Sequence, residues 1–130
     1  MNDLGIRERS VGSVSILNTD GGLRIQLKFG RSTVTLTNAV ESLLAAGQTK
    51  ILLNLDGVRA ISAKGLGELV STHVVVRKSG GEFKLLNLTP TVRQLMSSTK
   101  LLTVFDAYEN EALAIESFNH GALIEIASLA

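Results

Sequence analysis

Ile51-Leu52-Leu53-Asn54-Leu55 is an apolar run, followed a few residues later by Ile61-Ser62-Ala63-Lys64-Gly65-Leu66-Gly67. The run barely alternates, which predicts a strand covered on both faces, as in a parallel sheet. Beyond Ser62, the residues Leu66, Leu69, Val70 and Val74 recur at helical spacing. The order is therefore strand, tight turn, helix N-terminus. The first N–H groups of a helix lack intrahelical partners, so such a turn is a natural seat for a small hydroxyl or an anion. A functional site is expected here.

Downstream, the helix should stop at Gly80-Gly81, although Val74-Val75-Val76 by itself favours strand. Phe83 to Leu88 reads as a short strand. Thr89-Pro90 reads as a helix start, Thr at the N-cap and Pro at the first helical position, with Val92, Leu95 and Met96 as the buried stripe. Leu102 to Phe105 is expected as an edge-like strand. Glu109 to Phe118 is expected as a last helix burying Ala112, Ile115 and Phe118, its acidic start (Glu109, Glu111) suiting the positive end of the helix dipole.

Upstream, Asn38-Ala39-Val40-Glu41 has capping-box spacing and predicts a helix to Ala46 with Gly47 as its stop. Val14 and Ile16 alternate with serines. Leu23, Ile25, Leu27 and Phe29 alternate with Arg24, Gln26 and Lys28, and the turn signal Thr19-Asp20-Gly21-Gly22 lies between the two runs. These predict a β-hairpin, preceded by a flexible leader over residues 1–10. A hairpin followed by helix–strand units implies one α/β domain over residues 11–118, a mixed central sheet with helices packed on it. The extension 119–130 is apolar for a terminus. Leu123, Ile124, Ile126 and Leu129 are expected to cover the protein's own core or sheet edge, the alternative being a homodimer contact.

Composition narrows the function. The chain has 130 residues, 45% hydrophobic and 19% charged, which suits a single globular domain. A net charge of +1 offers no basic excess for phosphates, and an aromatic content of 4% gives no stacking platform, so direct nucleic-acid binding is not expected. With no cysteine there are no disulfides, thiolate nucleophiles or thiolate metal sites. Met1 to Ser10 is polar, and the longest apolar stretches are too short to span a bilayer. The expectation is a soluble, cytoplasmic protein with no membrane insertion.

The titratable groups do not assemble into a catalytic set. His73 and His120 are far apart with no carboxylate cluster, which gives no metal spacing. His73 reads as a partly buried histidine with a hydrogen bond. Gly65-Leu66-Gly67 lacks the further residues of a phosphate loop and reads as a packing feature. No catalytic residue, metal or cofactor is expected, and the chain is not read as an enzyme. Ser62 reads as an N-cap, its oxygen accepting from the N–H of Lys64 or Gly65. Lys64 opposes the helix dipole at a cost of a few tenths of a kcal/mol. It reads as an exposed, tolerated lysine, with contact to an acidic group of a partner as the alternative. Asp56 reads as a turn residue before Gly57, with a smaller role in partner contact.

Several phrases carry a family resemblance. They are Asn54-Leu55-Asp56-Gly57-Val58, Ile61-Ser62-Ala63-Lys64-Gly65-Leu66-Gly67-Glu68-Leu69, Gly80-Gly81-Glu82-Phe83-Lys84-Leu85-Leu86-Asn87-Leu88-Thr89-Pro90-Thr91-Val92, and Phe105 to Ala114. In this order and spacing the chain resembles the STAS domain, known from bacterial anti-sigma-factor antagonists. The resemblance implies an interaction module in transcription regulation and signal transduction, whose partner is an anti-sigma factor that is also a serine-protein kinase. The implied partner-binding residues are Asp56, Ser62, Ala63, Lys64, Gly65 and Leu66. The family turn carries Asp-Ser-x-Gly-Leu, and its Ser is phosphorylated by the partner. Here Ser62 stands at the Asp and Ala63 at the phosphorylated Ser, while Gly65 and Leu66 match. Ala63 has no hydroxyl. Ser62 has one, but a shift of one residue turns a helical side chain by about 100°, so a displaced phosphosite at Ser62 is the lesser alternative to an N-cap. The same resemblance admits a cytoplasmic STAS subunit of a membrane transport system, or a STAS scaffold in a larger signalling assembly.

Overall fold

Ile51, Leu52 and Leu53 are all fully buried, but they belong to two different clusters. Ile51 and Leu53 face one side of the sheet and Leu52 the other, as the period of two in a strand requires. The computed structural model describes residues 6–19 and 36–118. Among these residues, five strands form one sheet in the order β1 (Ile6–Val11), β2 (Val14–Thr19), β3 (Lys50–Asn54), β4 (Glu82–Leu86) and β5 (Asp106–Tyr108). β1 and β2 are antiparallel, and each later pairing is parallel. The helices are α1 (Leu36–Ala45), α2 (Ala63–Lys78), α3 (Pro90–Ser98) and α4 over 111–118. The fold is the expected single α/β domain with a mixed sheet.

The two faces are covered unequally. Val40 of α1, Leu69 of α2 and Val92 and Met96 of α3 pack with Ile51, Leu53 and Leu85 in the larger cluster. Ala114 and Phe118 of α4 pack with Val14, Ile16, Leu52 and Leu86 in the smaller one. Each fully buried aliphatic side chain contributes about 2 kcal/mol, which is why β3, buried on both sides, anchors the domain. The helix stops fall where glycine predicts them. Gly47 takes φ +85° after α1 and Gly80 takes +81° after α2. At Gly81 a Cβ would stand 2.5 Å from the Thr49 carbonyl oxygen, the same oxygen that accepts from the Glu82 N–H at 2.8 Å. That position therefore brings the start of β4 against the start of β3.

Several sequence expectations are corrected. The structure shows a hairpin not expected from the sequence, formed by β1 and β2. Val11 and Val14 pair across Gly12-Ser13, with Gly12 at φ +60° in the manner of a type II′ turn. Residues Ile6 to Ser10, expected to belong to the flexible leader, are the body of β1. Glu8, Arg9 and Ser10 are exposed, and a charged edge strand has no apolar alternation to betray it. The expected strand Leu23 to Phe29, the turn at Asp20-Gly21-Gly22 and the extension 119–130 with its homodimer alternative lie outside the described residues. Asn38 sits inside α1, so the capping-box reading there fails. In α2 the buried positions are Gly65, Leu66, Leu69, Thr72 and Val76, while Val74 is exposed; the polar Thr72 concealed the true stripe. Leu101–Thr103 is a 3-10 turn, and the edge strand begins only at Asp106. In α4 Ala114 is buried in place of Ala112, and the N-cap is Asn110, whose Oδ1 accepts from the Leu113 N–H at 3.0 Å.

Lys84 is an ion within the smaller face, only 7% exposed. Its Nζ donates to Ser117 Oγ at 2.9 Å, lies 3.7 Å from Glu82 Oε1 and stands 4.6 Å from the centre of the Phe118 ring. A buried ammonium is tolerated only with such partners, and here they fasten α4 to β4. At the other end of α4, Arg9 donates to Glu111 at 2.6 Å, and that bond holds the guanidinium above its ordinary pKa.

Candidate functional site: the turn between β3 and α2

β3 ends at Asn54, and residues 55–62 carry the chain to α2. Leu55 and Val58 are fully buried, whereas Asp56, Arg59 and Ala60 are exposed. The loop is therefore pinned by two apolar side chains and open between them. Its backbone is held as well. The Leu55 N–H donates to Leu86 O at 2.9 Å and the Val58 N–H to Leu55 O at 3.0 Å.

Ser62 is the N-cap of α2. Its backbone is extended (φ −83°, ψ 171°), and its Oγ accepts from the Gly65 N–H at 3.0 Å. This is the bond expected of an N-cap. Ala63 is the first helical residue, and both Ala63 and Lys64 are exposed, while Gly65 and Leu66 are buried. The six residues implied by the resemblance thus divide in three. Asp56, Ala63 and Lys64 face solvent, Ser62 is half-buried and engaged with the backbone, and Gly65 and Leu66 seat the helix. Gly67 is exposed with open space around a would-be Cβ, so the packing role expected of both glycines falls away at that position.

Four polar residues, of which the sequence singled out only Thr89, organise the surroundings. Glu68 Oε2 accepts from the Thr37 N–H at 2.9 Å and the Thr37 hydroxyl at 2.7 Å, so a carboxylate on α2 caps the first turn of α1. Thr72 closes this bridge, 3.1 Å from Thr37 Oγ1 and donating to Glu68 O at 2.8 Å. Thr89 stands at the N-cap of α3, as expected, but it makes no side-chain cap; its hydroxyl donates to Val58 O at 2.7 Å. Asn54 Nδ2 donates to Asn18 Oδ1 at 2.9 Å, and its Oδ1 accepts from the Asp56 N–H at 3.1 Å and Asn87 Nδ2 at 3.3 Å. The available signal was one asparagine at or just beyond the end of each of β2, β3 and β4.

His73 lies farther along α2. It meets Phe105 edge-on at 5.2 Å, and its Nδ1 is buried with no hydrogen-bond partner among the described residues, contrary to the bond expected for it. Burial first, and then Arg77, lowers its pKa below 6.5, with Asp106 opposing. Among the described residues no group of three or more His, Cys, Asp or Glu side chains could hold a metal ion, and no helix is long and apolar enough to cross a membrane.

Comparison with known proteins agrees with the fold. The family model of the STAS domain matches residues 14–114. Among solved structures, the chain is similar to a candidate anti-sigma factor antagonist from Thermotoga maritima. The two are 25% identical with a TM-score of 0.70, over 86% of this chain and 92% of that one. An anti-sigma factor antagonist from Mycobacterium paratuberculosis is 20% identical, with a TM-score of 0.69 over 86% and 91%. The Bacillus cell fate determinant SpoIIAA in its phosphorylated form is 16% identical, with a TM-score of 0.63 over 87% and 98%. The latter two are likenesses of fold alone. No curated protein sequence matches the chain.

Proposed function

The chain belongs to the STAS domain family, and from that premise we propose that it is a regulatory binding module that engages an anti-sigma factor/serine kinase in the cytoplasm through the face spanning residues 56–69. It carries out no catalytic step of its own. The observation that supports this reading most is the start of α2, where a Ser62-capped first turn leaves Ala63 and Lys64 exposed, as is Asp56 in the loop that leads into it. A phosphoserine at the Ala63 position would place a dianion in that contact, where desolvation and repulsion are costly. Alanine cannot accept a phosphoryl group, so binding here is constitutive and not switched at that residue.

The test is a pull-down from native cytosol with the wild-type chain and with Ala63→Glu, followed by incubation of the chain with ATP and the recovered kinase. The expected result is a kinase-type partner held by the wild type and lost with Ala63→Glu, and no added phosphate in the intact mass. An unchanged partner list moves the binding face elsewhere. A stoichiometric phosphate on any residue from 56 to 69 overturns the unswitched reading.

A further inference from the structure

Asn54 ends the central strand, half-buried, where β3 gives way to the turn. Its amide reaches three separate pieces of chain: Asn18 on β2, Asn87 beyond β4, and the backbone N–H of Asp56. Asn18 and Asn54 are register partners in the sheet, so the first bond runs straight across the strands. Asn87 holds φ at +59°, a left-handed conformation that is uncommon outside glycine and that asparagine tolerates best. Its backbone N–H donates to Tyr108 O at 2.8 Å, which extends the chain of bonds to β5. A residue held in such a conformation marks a place whose surroundings over-determine it. The polar row therefore crosses the C-terminal edge of β2, β3 and β4 and ends on the first exposed residue of the turn.

Resting on the reading of residues 56–69 as the partner face, we infer that Asn54 is the positioning residue of that face. It sets where the turn leaves the sheet, and hence how Asp56 and the start of α2 are presented. Two properties of an amide suit it to this role. It donates and accepts at once, so one side chain joins an acceptor on β2 to donors on two loops. Linked hydrogen bonds also reinforce one another away from bulk water. Residues 55–62 are also tied by Leu55 N–H to Leu86 O, Val58 N–H to Leu55 O, Thr89 to Val58 and Ser62 to Gly65, but none of these bonds is made by Asp56 itself.

Amide hydrogen exchange on the full free chain tests the inference. Asn54→Leu keeps the side-chain size and removes all three bonds; Asn54→Asp keeps both accepting bonds. With Asn54→Leu, exchange at the amides of residues 56–65 should rise about tenfold or more, while Leu52, Leu53 and Leu85 stay near wild type. Asn54→Asp should restore protection at Asp56, with the Asn18 amide turned to donate. Asn87→Gly tolerates the left-handed backbone and deletes one bond, so it should give a smaller rise at the same amides. It also serves if Asn54→Leu does not fold. A uniform change across turn and strands, or no rise confined to the turn, overturns the inference. Because this measurement needs no partner, its outcome is separate from the pull-down. If the exchange pattern appears and the Ala63→Glu pull-down is unchanged, the positioning stands and the binding face falls.

Discussion

The starts of α2 and α3 lie on the same edge of the sheet, follow neighbouring strands and both carry a hydroxyl residue at the N-cap. Their hydroxyls act differently. Ser62 stays local, accepting from the Gly65 N–H three residues on. Thr89 has Pro90 behind it and no side-chain cap, and its hydroxyl donates to Val58 O, 31 residues away. Since Pro at the first helical position lacks an N–H and has φ preset for the helix, α3 needs its cap less. The hydroxyl is thereby available to hold the β3–α2 loop. The difference teaches that the face around residues 56–69 is steadied by the helix start beside it, while its own helix start leaves Ala63 and Lys64 open to solvent.

Longer-range bonds should matter more than local ones. The largest effect is expected from Glu68→Ala, which leaves the N–H and hydroxyl of Thr37 without their carboxylate at the start of α1. Charge-assisted bonds of this kind put the loss at about 2 kcal/mol, read as a lower denaturation midpoint with an unchanged slope. A loss below the Ser62 effect would break the distinction between local and long-range bonds. Thr89→Val comes next, at about 1.5 kcal/mol, because the Val58 carbonyl loses its donor. Its signature should be faster amide exchange in residues 55–62, with α3 itself intact. Fraying of α3 instead would show Thr89 to be an ordinary cap. Ser62→Ala should cost about 1 kcal/mol, and Ser62→Gly only a few tenths. Equal losses for the two would mean that the hydroxyl does something other than cap.

The smallest effect lies away from both helix starts and serves as a reference for them. His73 is held below its ordinary pKa of 6.5, chiefly by burial. The unfolded chain therefore takes up this proton first, and the His73 contribution to stability is constant above about pH 6.5 and falls as the pH drops below it. His73→Gln should flatten the decrease in melting temperature between about pH 7.5 and about pH 5.5. An unaltered decrease would assign it to other groups.

Much of this architecture is legible in the sequence where one local pattern acts alone. The unalternating run of β3 announced burial on both faces, Gly47 and Gly80-Gly81 marked the helix ends, and Ser62 marked the start of α2. The misreadings share a cause, which is that the decisive partner is distant. β1 is polar because, among the described residues, it is the sheet edge and pairs with β2 alone. Thr72 occupies the buried stripe of α2 because the Glu68 carbonyl one turn back and Thr37 across the helix pair satisfy its hydroxyl. Asn54 and Asn87 look like plain strand residues, and Thr89 like a plain helix cap, until the strands are laid side by side.

The sequence by itself determined the strand–turn–helix frame, the N-cap and the missing hydroxyl at Ala63, because these depend on residues within one or two turns of each other. Only the tertiary structure decided which polar side chains hold that frame in place. Hydrogen bonds between Asn18 and Asn54, Asn54 and Asn87, Val58 and Thr89, and Thr37 and Glu68 each join residues more than 30 positions apart. Bonds at that separation carry no periodic signature along the chain; they exist once the apolar faces of β3 have brought the neighbouring strands and helices together.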